Sequence, residues 1–356
     1  MPVATSGMAI RTNATYVPAD AAMGRLLEQI GASWMTQAIS VAAELRLADL
    51  LATGPRAAEA LGRETQCDPA ALHRLLRALT SLELFVEQDD GAFALAPAGT
   101  LLCAESPQSV RSWAIWCGKY HWPVWANLLG SVRSGISARE LATGRQGYAH
   151  IEGDQEGAAI FNGAMVAITR LIADELARVV DFSTARSVVD VGGGHGELLT
   201  VILSAHPHLR GTLFDLPHAM SGAATRAAQA GVPARCEFAS GSFFDAIPAG
   251  ADFYLLKSIL HNWDDDQCGV ILQNCRRAMA AGARLLVVER IMPQRLGTSA
   301  PDRAVARSDL NMLVSLTGRE RTMAELASLF AGSGFRVAQT WPAVREFTAI
   351  EVRPVP

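Results

Sequence analysis

A glycine-rich turn in the second half of the chain places the strongest constraint on its fold. The turn follows a β-branched run at residues 187–191 and precedes a stretch whose apolar residues have helical spacing, residues 198, 199, 202 and 203. A strand, a tight turn and a helix in this order form one unit of a parallel α/β sheet. Because glycine lacks a side chain, such a turn lets a ligand approach bare backbone. The sequence therefore predicts an α/β unit with a nucleotide site.

The glycine spacing and a later aspartate indicate which nucleotide binds. Gly192, Gly194 and Gly196 have the spacing GxGxG, and Glu197 occupies the last glycine position of the dinucleotide motif GxGxxG. This departure disfavours an NAD-dependent oxidoreductase, which stays an alternative. Asp215 ends the next apolar run, where a carboxylate can accept hydrogen bonds from both ribose hydroxyls. The pattern predicts an adenosine-containing ligand without a pyrophosphate, and a purely structural turn is the alternative.

The composition predicts a folded protein with two domains and no targeting segment. Half of the 356 residues are apolar, and the net charge of −4 argues against a general nucleic-acid binder. The N-terminus lacks a signal-peptide pattern, and no apolar run approaches the roughly 18 residues of a membrane span. The six cysteines show no metal or disulfide spacing. We expect a cytoplasmic protein that binds neither nucleic acid nor a membrane.

The first hundred residues predict a mainly helical winged-helix module. Residues 1–18 are polar and are predicted to be a loose tail; helices are expected at 21–51, 56–65 and 69–82, and a hairpin at 85–87 and 93–95. Such a module can bind DNA, but Glu87, Asp89 and Asp90 in the wing would face phosphates with the wrong charge.

The first predicted helix carries more apolar residues than one buried stripe can hold. They include Leu26, Leu27, Ile30 and Trp34. A helix that is apolar on several faces needs more than one partner. We therefore expect a homodimer formed through the N-terminal domain.

The region from 106 to 180 is predicted to be helical and is rich in aromatic residues. Four of the seven tryptophans lie between Trp113 and Trp125. Trp116 and Phe161 are candidates for the wall of a site for a flat aromatic substrate, and a bulky core between domains is the alternative.

The last part of the chain predicts a doubly wound α/β sheet. Strands are expected at 187–191, 211–215, 235–239, 252–256 and 284–289, followed by a closing hairpin at 335–341 and 347–352. The predicted division is an N-terminal winged-helix and dimerisation domain at 1–105, a helical linker and substrate wall at 106–180, and a ligand-binding catalytic domain at 181–356.

Five motifs, in this order, resemble those of the class I S-adenosylmethionine methyltransferase fold. Within that fold, the chain resembles the small-molecule O-methyltransferase family, which includes plant caffeate-type enzymes and bacterial enzymes that tailor antibiotics and phenazines. The motifs lie at 190–196, 214–217, 256–264, 288–293 and 318–322. The resemblance covers nearly the whole chain.

The resemblance implies roles for individual residues. It implies that His261 is the catalytic base, flanked by Glu289 and Glu320. It implies that S-adenosyl-L-methionine, with S-adenosyl-L-homocysteine as its product, is held by Gly192, Gly194, Asp215, Leu216, Ser242, Phe243, Lys257 and Ser258. It also implies that substrate contacts come from Met165, Asn311 and Met312, in addition to Trp116 and Phe161. Ser242 departs from the family, which usually has an acidic residue there, and this puts one adenine hydrogen bond in doubt.

The predicted reaction is methylation of a hydroxyl group on an aromatic secondary metabolite, of a fused-ring, phenazine or polyketide type. No metal is expected, because Asp264, Asp265 and Asp266 lie together at a helix start, where acidic residues cap the helix. Alternatives on the same fold are N-methylation, hydroxylation or decarboxylation, and a regulatory role without catalysis.

Overall fold

The N-terminal part is helical with one small hairpin. The computed structural model describes residues 19–145, 147–148 and 153–355, so the predicted tail at 1–18 lies outside it. Its elements are α1 (Ala19–Glu44), α2 (Leu47–Leu51), α3 (Ala58–Thr65), α4 (Pro69–Thr80), β1 (Phe85–Glu87) and β2 (Phe93–Leu95). The helix predicted at 21–51 is two helices, because Arg46 adopts a left-handed conformation with φ of 56°. Asp68 caps α4 by accepting the backbone N–H of Ala71 at 2.8 Å.

The hairpin packs beside α4 as the wing of a winged helix. His73 and Arg77 on α4 lie 3.7 and 3.4 Å from the carboxylate of Glu87 on β1. A DNA-binding module would direct these two side chains at phosphates. Here they contact the carboxylate of Glu87 in the wing instead.

The middle of the chain is a run of short helices followed by one long helix. They are α5 (Arg111–Ile115), a π-helical turn (Trp116–His121), α6 (Trp122–Trp125), α7 (Leu128–Ser134), α8 (Ala138–Thr143) and α9 (Gln155–Val179). By length and composition alone, α9 is apolar enough to cross a membrane. Its residues Ile172, Ala173 and Leu176 are buried in the main core, so it is a core helix of this fold.

A seven-stranded sheet forms the C-terminal part. Its strands are β3 (Ser187–Val191), β4 (Arg210–Asp215), β5 (Cys236–Ser240), β6 (Phe253–Lys257), β7 (Arg284–Glu289), β8 (Phe335–Val344) and β9 (Phe347–Pro354). The order is β5-β4-β3-β6-β7-β9-β8, with β9 antiparallel to both its neighbours and the other pairs parallel. Chain order reverses between β3 and β6, and the carboxyl ends of strands at such a point form a ligand crevice.

Helices cover both faces of the sheet. They are α10 (Glu197–Ala205), α11 (Ala223–Gln229), α12 (Asp265–Ala278) and α14 (Met323–Gly332). Helix α13 (Ala300–Ser315) instead packs against α6, α7 and α8. Asp264 caps α12 in a capping box with Gln267, as the acidic cluster predicted. The predicted doubly wound sheet with an N-terminal helical domain is confirmed; the domain boundaries at 105 and 180 stay predictions.

Candidate active site

A cavity of about 450 Å³ opens at the carboxyl ends of β3, β4 and β6. All eight residues predicted to hold the cofactor line it: Gly192, Gly194, Asp215, Leu216, Ser242, Phe243, Lys257 and Ser258. Its volume is typical of small-molecule sites, which measure about 300 to 1,000 Å³. Residues far apart in sequence thus meet because the strands that carry them are neighbours.

The glycine turn brings backbone to the cavity. Gly192 and Gly194 have φ of 72° and 56°, a conformation that favours glycine. A Cβ added to Gly192 would lie 2.5 Å from the side chain of Ile259. The N–H of Gly194 donates to Asp215 Oδ2 at 2.8 Å, and the N–H of Leu216 donates to Asp215 Oδ1 at 2.7 Å. The carboxylate is thereby fixed at the end of β4, with further lone pairs available to ribose hydroxyls.

Two buried groups of opposite charge face the same cavity. Asp190, at the carboxyl end of β3, has an Oδ2 without a hydrogen-bond partner, and burial raises the pKa of this residue to about 7. Lys257 donates to Thr169 Oγ1 at 3.0 Å, and burial lowers the pKa of its ammonium group to about 8. An unsatisfied acceptor beside a cationic donor suits the ammonium and carboxylate groups of a methionine moiety. The sequence pattern gave no separate function to Asp190, which is the first residue of the motif at 190–196, and none to Thr169.

Glu197, the residue that replaces the last glycine of the dinucleotide motif, has a structural role. Its buried carboxylate lies 2.9 Å from Arg170 Nε on α9 and 2.7 Å from Arg226 Nε on α11. The side chain therefore joins three helices around the start of α10.

An aromatic cluster borders the cavity next to the glycine turn. Phe243, Phe244 and Trp263 pack edge to face with ring centroids 4.8 to 6.0 Å apart. Ser242 Oγ accepts the N–H of Phe244 at 3.1 Å, so this hydroxyl also shapes the loop. Tyr148, which was not among the predicted site residues, also lines the cavity. Its ring centroid lies 6.5 Å from that of Trp263.

The three predicted catalytic residues form one buried cluster. His261 Nδ1 lies 3.0 Å from Glu320 Oε1 and 3.7 Å from Glu289 Oε2. Burial alone lowers the pKa of His261, but the charges of Glu289 and Glu320 outweigh it, so its pKa is raised. An ionised carboxylate can only accept a hydrogen bond, so Nδ1 carries the proton, and in the neutral imidazole Nε2 keeps its lone pair.

The two glutamates contact different groups. Glu289 Oε1 accepts the backbone N–H groups of Ile259 and Leu260 at 3.0 and 2.8 Å, which shapes the loop before the histidine. Glu320 Oε1 instead accepts the hydroxyl of Ser308 at 2.5 Å in addition to the imidazole. Glu320 is therefore the hydrogen-bonded partner of the ring, and Glu289 holds the backbone beneath it.

Two residues of the motif at 318–322 pack closely against the loop that carries His261. Arg321 is buried and donates to the carbonyl oxygens of Leu260 and Trp263, each at 2.7 Å. A Cβ on Gly318 would collide with the carbonyl oxygen of His261. This motif therefore positions the histidine.

Only some of the predicted substrate residues line the cavity. Phe161 and Met165 line the cavity, whereas Trp116 lies behind Phe161 with ring centroids 5.0 Å apart. Asn311 and Met312 lie on α13, the helix that also carries Ser308, and do not line the cavity.

The cluster of His261, Glu289 and Glu320 also meets the geometric condition for a metal site. His261, Glu289 and Glu320 each offer a ligand atom, and these atoms lie within 4.8 Å of one another. Their hydrogen bonds to each other and to the backbone already account for the arrangement. The absence of a metal stays a prediction.

Comparison with protein families identifies two matching models. An O-methyltransferase domain matches residues 125–336, and an O-methyltransferase dimerisation domain matches residues 27–105. The two matches span most of the chain.

Individual relatives show the same likeness over nearly the full length. The phenazine O-methyltransferase PhzM of Lysobacter antibioticus is 38% identical, with 93% of this chain and 96% of the relative covered. The crystal structure of the O-methyltransferase NcsB1 from neocarzinostatin biosynthesis, with S-adenosylmethionine and 2-hydroxy-5-methyl naphthoic acid, is 32% identical with a TM-score of 0.76, covering 90% of this chain and 96% of that one. The aclacinomycin 10-hydroxylase RdmB of Streptomyces purpurascens is 34% identical over 95% of this chain and 94% of its own length.

Proposed function

Because the chain belongs to the O-methyltransferase family and uses S-adenosylmethionine, we propose that it methylates a hydroxyl group of an aromatic secondary metabolite with His261 as general base. The observation that carries this proposal is the 3.0 Å hydrogen bond between His261 Nδ1 and Glu320. It fixes the tautomer in which Nε2 can accept the proton of a substrate hydroxyl.

The energetic problem is deprotonation of the hydroxyl. S-adenosylmethionine supplies an electrophilic methyl group, so the acceptor oxygen needs alignment and a lone pair. Proton transfer from a phenol of pKa about 10 to an imidazole of pKa about 6.5 is uphill by roughly 5 kcal/mol. The charges of Glu289 and Glu320 raise the pKa of His261 and so reduce this cost.

We propose that the cavity holds S-adenosylmethionine and releases S-adenosylhomocysteine. Asp215 would accept the ribose hydroxyls, and Asp190 and Lys257 would bind the methionine ammonium and carboxylate. Ser242 and Phe243 would contact the adenine, the phenylalanine through its apolar ring.

The substrate is proposed to be a flat aromatic compound, of a fused-ring type as in the phenazine and naphthoic acid relatives. Phe161 and Met165 supply apolar lining, with Trp116 packed behind them. Asn311 and Met312 are proposed to contact the substrate from α13, the helix whose Ser308 donates to Glu320.

Hydroxylation, with dioxygen as oxidant and oxygen source and an added two-electron reductant, is the second candidate, since one relative of similar identity is a hydroxylase. Mass spectrometry of products from isotopically labelled S-adenosylmethionine distinguishes the two reactions. A gained methyl group supports the leading proposal, and a gained oxygen atom supports the second.

The base assignment is tested with His261→Ala. We expect S-adenosylhomocysteine affinity to be retained and turnover to fall at least about 100-fold, the usual scale for a general base. His73→Ala, at a half-buried histidine on α4 remote from this cavity, is the control and should change neither. Near-normal turnover in His261→Ala would mean that alignment alone drives the reaction.

We also propose a homodimer formed through α1. Leu27, Ile30 and Trp34 are 61 to 70% exposed in the single chain, and the dimerisation model begins at residue 27. An apolar face of this kind marks a protein interface. Analytical ultracentrifugation should show a dimer, and the double variant Leu27→Glu with Ile30→Glu should sediment as a monomer. A monomeric parent protein at micromolar concentration would contradict the proposal.

We also propose the division of the chain into domains at 1–105, 106–180 and 181–356. The protein is further proposed to be cytoplasmic and to have no nucleic-acid or membrane partner. The location is supported by six free cysteines, and the absence of a DNA partner by the contacts of His73 and Arg77 with Glu87.

A further inference from the structure

The π-helical turn at Trp116–His121 brings two buried polar rings together behind the cavity wall. Trp116 Nε1 lies 2.7 Å from His121 Nε2, and the two residues are 1% and 8% exposed. In an α-helix, side chains five positions apart differ in direction by about 140°. The wider turn, with hydrogen bonds from residue i to residue i+5, lets them meet. An indole N–H can only donate, so His121 Nε2 accepts and the imidazole proton lies on Nδ1.

The π-helical turn ends at a proline and is fastened to helix α1. Continuing the i to i+5 pattern at Gly118 would need the N–H of Pro123, and proline has none. The carbonyl oxygen of Gly118 instead accepts a hydrogen bond from Gln37 Nε2 on α1 at 3.1 Å. A Cβ on Gly118 would collide with the side chain of Ser40, so glycine allows this close approach. The turn that carries Trp116 is therefore held in place by α1.

Trp116 in turn supports residues that line the cavity. Its ring packs against Phe161 with ring centroids 5.0 Å apart, and Phe161 and Met165 belong to the same apolar cluster. Both of these side chains line the cavity. Protein interiors are close-packed, and a gap of less than about 1 Å already loses much of the contact energy. The orientation of the Trp116 ring therefore limits how deep the cavity is beside Phe161 and Met165.

We propose that His121 is a positioning residue for the aromatic acceptor, because its hydrogen bond holds Trp116 against Phe161 and so fixes the depth of the acceptor wall. Removal of the acceptor atom on His121 releases the indole ring from this orientation, and the wall loses its support. The residues proposed to bind the cofactor, such as Asp215 and Lys257, lie outside this aromatic cluster. This inference rests on the proposed O-methylation and adds a residue that determines which flat rings fit.

The test compares His121→Leu with His121→Gln, whose side-chain oxygen can still accept the indole N–H. The acceptors are 1-hydroxyphenazine and 1,4-dihydroxy-2-naphthoic acid. We expect His121→Leu to raise KM for the acceptor about 3- to 10-fold, the range of a neutral hydrogen bond, and to leave S-adenosylhomocysteine affinity unchanged in calorimetry. His121→Gln should keep KM within about twofold of the parent value. His73→Leu makes the same change on α4, away from the cavity, and should alter neither quantity.

A double-mutant cycle separates positioning from a general loss of stability. In a Phe161→Ala background, His121→Leu should raise KM by less than about twofold, because the side chain that it supports is gone. Equal effects of His121→Leu in both backgrounds would overturn the inference, as would a matching loss of S-adenosylhomocysteine affinity. Should His121→Leu fail to fold, Trp116→Phe removes the indole donor and takes its place in the same cycle, with the same criteria.

The outcomes for the two proposals are distinguishable. If methylation occurs and His121→Leu leaves KM unchanged, the positioning role fails and O-methylation stands. If neither acceptor is methylated, calorimetry of both compounds with the S-adenosylhomocysteine complex replaces KM in the cycle. Binding that His121→Leu weakens only when Phe161 is present supports the positioning role while the proposed reaction fails. Binding that is absent, or unaffected by His121→Leu, overturns the positioning role as well.

Discussion

Replacing Glu320 with glutamine should weaken the base while preserving the geometry of the site. The glutamine side-chain oxygen can still accept the Nδ1–H of His261, which lies 3.0 Å from Glu320 in the native protein. The change removes the negative charge that stabilises the imidazolium form. A hydrogen bond to a charged group is worth about 1.5 to 3 kcal/mol, and about 1.4 kcal/mol corresponds to one pKa unit. We therefore expect the pKa of His261 to fall, because the charge that raised it is gone, and kcat to fall about 10- to 100-fold.

The dependence of kcat on pH shows the direction in which the pKa of His261 changes. His261 must be neutral to accept a proton, and its pKa is raised by Glu289 and Glu320 against the effect of burial. Turnover of the native enzyme should therefore decline on the acid side with a midpoint above about 6.5. In Glu320→Gln, the midpoint should move to lower pH while the plateau falls.

The assay is kcat against pH for a phenolic substrate, with S-adenosylhomocysteine affinity measured in parallel. Glu59→Gln makes the same chemical change at an exposed position on α3 and should alter neither quantity. Glu289→Gln should instead lower the melting temperature, because Glu289 Oε1 accepts the N–H groups of Ile259 and Leu260. An unchanged plateau and midpoint in Glu320→Gln would refute the role assigned to this carboxylate.

Three further predictions concern the same site. Gly318→Ala should lower both the melting temperature and the turnover, because the added Cβ would collide with the carbonyl oxygen of His261. Gly332→Ala, where a Cβ would meet no other atom, is the control. Equal melting temperatures for the two variants would contradict this prediction. Asp215→Asn should weaken S-adenosylhomocysteine binding by about 10- to 100-fold in calorimetry, and unchanged affinity would remove Asp215 from the ribose site. Incubation with EDTA should leave turnover unchanged, and a loss that Mg²⁺ restores would assign a metal to the cluster of His261, Glu289 and Glu320.

Local sequence patterns were sufficient to predict most of the elements. Strand β7 lies at 284–289 as predicted, and β3 at 187–191, because uninterrupted apolar and β-branched runs specify buried strands. The break of the first helix at Arg46 was missed, since a left-handed conformation at a non-glycine residue leaves little trace in composition. The glycine motif and Asp215 could be selected because each lies at the carboxyl end of a strand that the pattern identifies.

The amino-acid order thus accounts for the α/β sheet, the glycine turn and Asp215, because these features depend on residue type and on position relative to strand ends, which are local properties. The resemblance to a known family supplied the other predicted cofactor residues and the cluster of His261, Glu289 and Glu320. Folding was needed to distinguish Glu320, which lies 3.0 Å from His261 Nδ1, from Glu289, which lies 3.7 Å away, and to reveal that Asp190 Oδ2 has no hydrogen-bond partner among the described residues. Distances and burial arise from contacts between segments remote in sequence, so no local pattern could encode them.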